Sequence, residues 1–106
     1  YRFNPAMIGA AHADCFRRFL ECLSSDILSL VIVDNTNCTN EEIAPYALAS
    51  AAYGFPFEVV TVDAPVGECI AQNVHGVPGT TIWNMLAKLN ARVLPSYWQS
   101  RVVTTR

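Results

Sequence analysis

A single lysine, Lys88, stands among 106 residues, and its neighbours are Ala87 and Leu89. A phosphate-binding P-loop needs its lysine directly after glycine and before serine or threonine, so these residues encode none. Charge is sparse altogether: 15% of the chain is charged, and nine acids against seven bases leave a formal net charge of -2. That balance excludes a strongly basic nucleic-acid binder, although a small local patch remains compatible with it. Among the four cysteines no CxxC pair occurs, and His12 and His75 complete no zinc-ligand spacing. Buried, reduced thiols of a cytoplasmic protein are the expectation, with a disulfide or metal role as the alternative and nuclear residence left open. Long apolar runs are missing as well. The longest, 27–33, is interrupted by Ser29 and is about a third of a membrane span, so no membrane partner is expected. The first residues carry no signal-peptide pattern, and there are no repeats, low-complexity segments or linkers.

What the chain does have is apolar material, 52% hydrophobic and 10% aromatic. This suffices for one packed core and excludes intrinsic disorder, while the length leaves little room for a second domain. Residues 1–106 are therefore read as one partial domain. Tyr1 is not a residue that normally follows an excised initiator methionine. It is read as internal to a longer frame, or as the boundary of an expressed fragment.

Asn4 and Pro5 announce a helix, Asn as the cap and Pro at the first position, where its missing N–H costs nothing. Apolar residues at Ile8, Ala11, Cys15, Phe19, Cys22 and Leu23 form a 3.6-residue stripe, which predicts a helix ending near Ser24 and Ser25. The run LSLVIV at 28–33 predicts a strand buried on both faces in a parallel sheet. Thr39-Asn40-Glu41-Glu42 reads as a capping box for a second helix that stops at Gly54, with Pro45 bending its first turns or delaying it. FEVVTV at 57–62 predicts the next strand, and the strand–helix–strand order predicts a parallel βαβ crossover. A short helix over 67–73, a turn at 75–79 and a helix over 80–90 with Ile82, Met85, Leu86 and Leu89 inward complete the pattern. The tail at 93–106 has no clear assignment.

Asp34-Asn35-Thr36-Asn37 follows the first predicted strand, and open parallel sheets bind ligands beyond the carboxyl ends of their strands. An aspartate there suits Mg²⁺ or its water shell, and the neighbouring Asn and Thr suit phosphate or ribose oxygens. The same residues equally suit an Asx-turn, with Asn37 or Thr39 capping the next helix. Asp63, before Ala64-Pro65, is either a second acidic position or a turn opener. His75 lies in a Gly/Pro turn with no evident carboxylate partner, and Arg17-Arg18 reads as a solvated helix face.

Taken together, Tyr1-Arg2-Phe3-Asn4-Pro5, Ala11-His12, the strand VIVDNTN (31–37), Pro45-Tyr46, the segment NVHGVP (73–78), and Ile82 followed by Met85 form a specific combination. It resembles the P-loop kinase family that includes polynucleotide kinases and the ATPase domain of NEDD4-binding protein 2, over about residues 1–92. The resemblance implies an α/β, three-layer, Rossmann-like P-loop NTPase sheet, incomplete here because the P-loop strand would precede these residues. It implies ATP and Mg²⁺ as cofactors of an intact parent, and a nucleotide or nucleic-acid 5′ end as its partner. By position it implies that Asp34, Asn35, Thr36 and Asn37 face the phosphates or the acceptor, with Asp34 the best catalytic and indirect Mg²⁺ candidate. Asn73 and His75 would lie on the lid side. Where relatives commonly carry basic lid residues, this chain has Gln72, Trp83 and Asn84.

The expected function is thus the C-terminal part of an ATP-dependent kinase-like protein, inactive by itself. The alternatives are a degenerate, non-catalytic binding domain of the same family, or an unrelated small α/β domain. A sheet lacking one strand would leave two unpaired edges, so self-association is also expected.

Overall fold

Asn4 accepts a hydrogen bond from the Ala6 N–H through its side chain at 3.1 Å, and Pro5–Met7 form a short 3-10 turn behind it. This structure is a computed structural model and describes residues 4–74 and 76–104. The turn leads into α1, Ile8–Leu23, which closes at Ser24 as its spacing predicts. Phe19 and Leu23 are buried and Cys15, Phe16 and Cys22 half-buried, whereas Ala11 is exposed despite its place on the predicted stripe. Outside the stripe, Arg17 pairs with Asp14 and, at 2.8 Å, with Glu21, while Arg18 reaches Asp14 at 3.0 Å. The Arg17 hydrogen bond holds the Asp14 carboxyl below its ordinary pKa. Because all four side chains face water, this ladder contributes little stability.

Segment 28–33 departs from the expected strand. It has no ladder partner among the described residues, so the predicted βαβ unit does not form. Its side chains alternate: Val31 and Val33 lie against the core, while Leu30 and Ile32 are 74% and 76% exposed. The apolar run had suggested burial on both faces. Without a neighbouring strand, only the face toward the helices is covered.

α2, Asn40–Ala52, begins with one half of its predicted capping box, the Glu42 side chain reaching the N–H of Cys38 and not that of Thr39. Thr39 Oγ1 accepts from the Glu42 N–H at 3.3 Å, and a Glu42 carboxylate oxygen accepts from the Cys38 N–H at 3.1 Å. Of the two candidate caps, Thr39 is the one used. Pro45 lies inside the helix and does not delay its start, since one missing N–H removes only one bond of the ladder. The helix ends before Gly54, whose φ of +78° is the left-handed conformation that favours glycine.

β1 spans Glu58–Asp63, one residue later than expected, followed by α3, Val66–Ala71, and α4, Gly79–Ala91. The unassigned tail supplies β2, Gln99–Thr104. It pairs in parallel with β1, in register from Glu58 opposite Gln99 to Asp63 opposite Thr104, so the crossover runs through α3 and α4. Arg101 donates to Glu58 across the pair at 3.0 Å. Phe57 joins this unit to the rest: its ring meets Trp98 edge-on at 6.0 Å and packs against the cluster of Phe19, Leu23 and Tyr46.

The chain is therefore mixed α/β with a two-stranded parallel sheet. Its core is small, and no large side chain is fully buried among the described residues. The accessible surface is 7688 Å², whereas a folded monomer of 11.7 kDa exposes about 5,900 Å². The radius of gyration, 14.8 Å, likewise exceeds the roughly 13 Å of a compact domain of this length. No helix is long and apolar enough to cross a membrane among the described residues.

Leu23→Ala is expected to cost about 3 kcal/mol in urea unfolding. Ile32→Ser, at a comparably apolar but uncovered position, is expected to cost less than about 0.5 kcal/mol.

Candidate functional site

The polar segment after 28–33 is anchored where α1 and α2 meet. The Tyr46 ring packs edge-on against Phe16 and Phe19, with centroids 5.2 and 4.9 Å away. Its hydroxyl donates to Cys15 Sγ at 3.4 Å, and the Asn35 amide donates to the same sulfur at 3.3 Å and to the Tyr46 oxygen at 3.5 Å. Burial, with the adjacent Cys15 adding to it, pushes the Tyr46 phenol up to about 12. Asn35 thus serves as a tether as well as a polar surface group.

The four residues do not point the same way. Asp34 and Thr36 are exposed and Asn35 and Asn37 half-buried. Asn35 and Asn37 line one hollow of about 340 Å³, together with His12, Phe16, Glu42 and Tyr46. Asn37 holds a left-handed φ of 44°, which asparagine tolerates better than most residues. Its carbonyl accepts from Arg92, whose other guanidinium nitrogen donates to Thr61 Oγ1 at 2.7 Å. Nearby, Asn40 donates to the Val93 carbonyl at 2.7 Å. The connection after α4 therefore ties the polar loop to β1.

The electrostatics of this hollow bear on its ligand. Glu41 and Glu42 line it, and among the described residues no lysine or arginine does. Of the N–H groups in the first turn of α2, that of Glu42 is engaged by Thr39, and the Glu42 carboxylate takes the Cys38 N–H just before the helix. A phosphate bound here would need cationic compensation from elsewhere. Cys38, buried behind the loop, has its thiol pKa raised by burial and then by Glu42.

Asn73 lies outside this hollow. Its side chain spans the turn before α4, donating to the Val77 carbonyl and accepting from the Val77 N–H at 3.3 Å. His75 lies outside the described residues. Asp63 borders a separate hollow at the carboxyl end of the sheet, with Pro65 and Thr104. No group of His, Cys, Asp and Glu forms a metal cluster among the described residues. The cysteines are free, but not uniformly buried: Cys38 is buried, Cys15 and Cys22 half-buried and Cys69 exposed.

Two contributors were not legible as site residues. Cys15 read only as part of a helical stripe, and Arg92 sat between an ending helix and an unassigned tail. The one available signal for the trio was the Cys15–Phe19 spacing, which aims both residues at the same neighbour. No protein-family model matches the chain, and no solved structure matches it.

Alkaline titration followed by phenolate absorbance is expected to show one tyrosine ionising late, and Tyr46→Phe to abolish that phase. A phenol raised in the folded state favours folding fully below its unfolded pKa of about 10. Stability is therefore expected to fall as pH rises from 10 towards 12. Arg92→Ala is expected to cost about 2 kcal/mol, because it removes hydrogen bonds from a charged donor. Under native alkylation Cys69 is expected to react first and Cys38 last.

Proposed function

We propose that this chain is the C-terminal part of an ATP-dependent, P-loop kinase-like protein that transfers phosphate to a nucleic-acid or small-molecule hydroxyl. One observation carries the reading. Segment 28–33 is apolar and unpaired among the described residues, and β1 pairs there on one edge only, with the parallel strand β2. A strand supplied from outside these residues would complete such a sheet, and in the resembled family the P-loop strand lies between these two.

The hollow's charge supports the same reading. Its polar lining presents Asn35 and Asn37, without a lysine or arginine among the described residues. The compensating charge for ATP and Mg²⁺ would then come from a P-loop lysine and the metal, which in such kinases supply most of the phosphate stabilisation. Asp34, exposed beside the hollow, is the residue for the metal's water shell or the acceptor hydroxyl. Asn73 and His75 would serve the lid. These residues alone form a non-catalytic unit, and their open strand edges favour self-association.

A second reading, a degenerate binding domain of the same ancestry, is favoured by Gln72, Trp83 and Asn84 at positions where relatives are commonly basic. The coding sequence ahead of Tyr1 separates the two. An in-frame GxxxxGK[ST] supports the kinase-like reading; a start codon or stop immediately upstream overturns it. With the P-loop segment present, ATP-dependent phosphorylation of a 5′-hydroxyl oligonucleotide or a nucleoside is expected. In that longer protein Asp34→Asn is expected to lower the rate on the order of 100-fold. The 106-residue chain alone is expected to give none above background.

A further inference from the structure

Among the described residues three elements have an open edge, segment 28–33, β1 and β2, and they are not equivalent. β2 carries the exposed Arg101 in its interior, a charge that guards an edge. Segment 28–33 keeps one face, Val31 and Val33, committed to the α1–α2 core. β1 is a regular six-residue strand whose second edge has no partner among the described residues. Its interior, Val59-Val60-Thr61-Val62, contains no lysine, proline or glycine, the usual protections of an exposed edge. Val60 and Val62 are 41% and 56% exposed on one face, and Val62 lies in register with Val103 of β2. Two paired strands are marginal in water, and three or more are normally needed.

We infer that the 106-residue chain forms a twofold dimer in which β1 pairs antiparallel with β1 of a second copy, giving one four-stranded sheet. This inference rests on the open-edge reading above and is independent of the kinase-like one. A second copy fits because a twofold axis presents the same edge from both sides, which makes the pairing self-complementary. Pairing about Thr61 sets Val60 opposite Val62 of the second copy. Glu58 then lies beyond the paired stretch and Asp63 faces a valine, so no acid opposes an acid. The four valines form a continuous strip on one face.

The chain as a whole exposes 7688 Å², about 1,800 Å² more than expected for its mass, so surface remains for a partner to cover.

Light scattering on a size-exclusion column, across a micromolar series, tests the inference. The expected mass is twice the 11.7 kDa of one chain. Val60→Lys with Val62→Lys is expected to raise the dissociation constant on the order of 100-fold by placing like charges together. Leu30→Lys with Ile32→Lys is expected to leave the dimer intact. Because Val60 and Val62 are partly exposed in one chain, the double variant should retain the late Tyr46 titration as evidence of folding. Amide exchange on the unsubstituted chain provides a second reading, with protection of 59–62 rising with concentration. A monomer throughout the series overturns both the self-association reading and this geometry. A dimer insensitive to the β1 lysines, or concentration-independent exchange at 59–62, overturns the β1 pairing while self-association stands.

Discussion

An apolar strand can be buried only if its backbone N–H and C=O groups find partners, and segment 28–33 finds none among the described residues. Much of the molecule follows from that constraint. Val31 and Val33 lie against α1 and α2, the other four residues face outward, and among the described residues the sheet has two strands. The resulting core is small for the amount of apolar sequence. Leu30 and Ile32 are exposed on the segment's outward side, and Val62 and Val102 are exposed on the faces of the sheet.

Within that limit, local order is secured by a few specific interactions. Tyr46 holds α1 to α2 through two aromatic edges, and its hydroxyl joins Cys15 and Asn35 in a three-way polar contact. Arg92 and Asn40 connect the polar loop to the segment that precedes β2. The hollow lined by Asn35, Asn37 and His12 is therefore bounded by packed elements on two sides. Its carboxylates, Glu41 and Glu42, disfavour a lone phosphate.

Local signals in the sequence were read accurately where the physics is local. Asn4 with Pro5, Thr39 with Glu42, and Gly54 each act through bonds or torsions within a few residues, and each stands where its chemistry requires. The β1 strand and α4 were legible from periodicity to within a residue or two. Misreadings arose where a neighbour decides. LSLVIV has the composition of a central strand, yet a strand is defined by its partner. Residues 99–104 have a weaker pattern and became β2 because β1 was available to pair. Ala11 sits on the helical stripe and is exposed because the stripe extends past what covers it.

The candidate site divides along the same line. By itself the sequence determined the polar identity of Asp34, Asn35, Thr36 and Asn37 and their place after an apolar run, because backbone alternation and capping are encoded within a short window. Only the tertiary structure decided that Asn35 and Asn37 share a hollow with His12, that Asn73 braces its own turn, and that Arg92 clamps the Asn37 carbonyl. Such pairings join residues far apart in the chain, and their energies depend on distances that no local pattern contains.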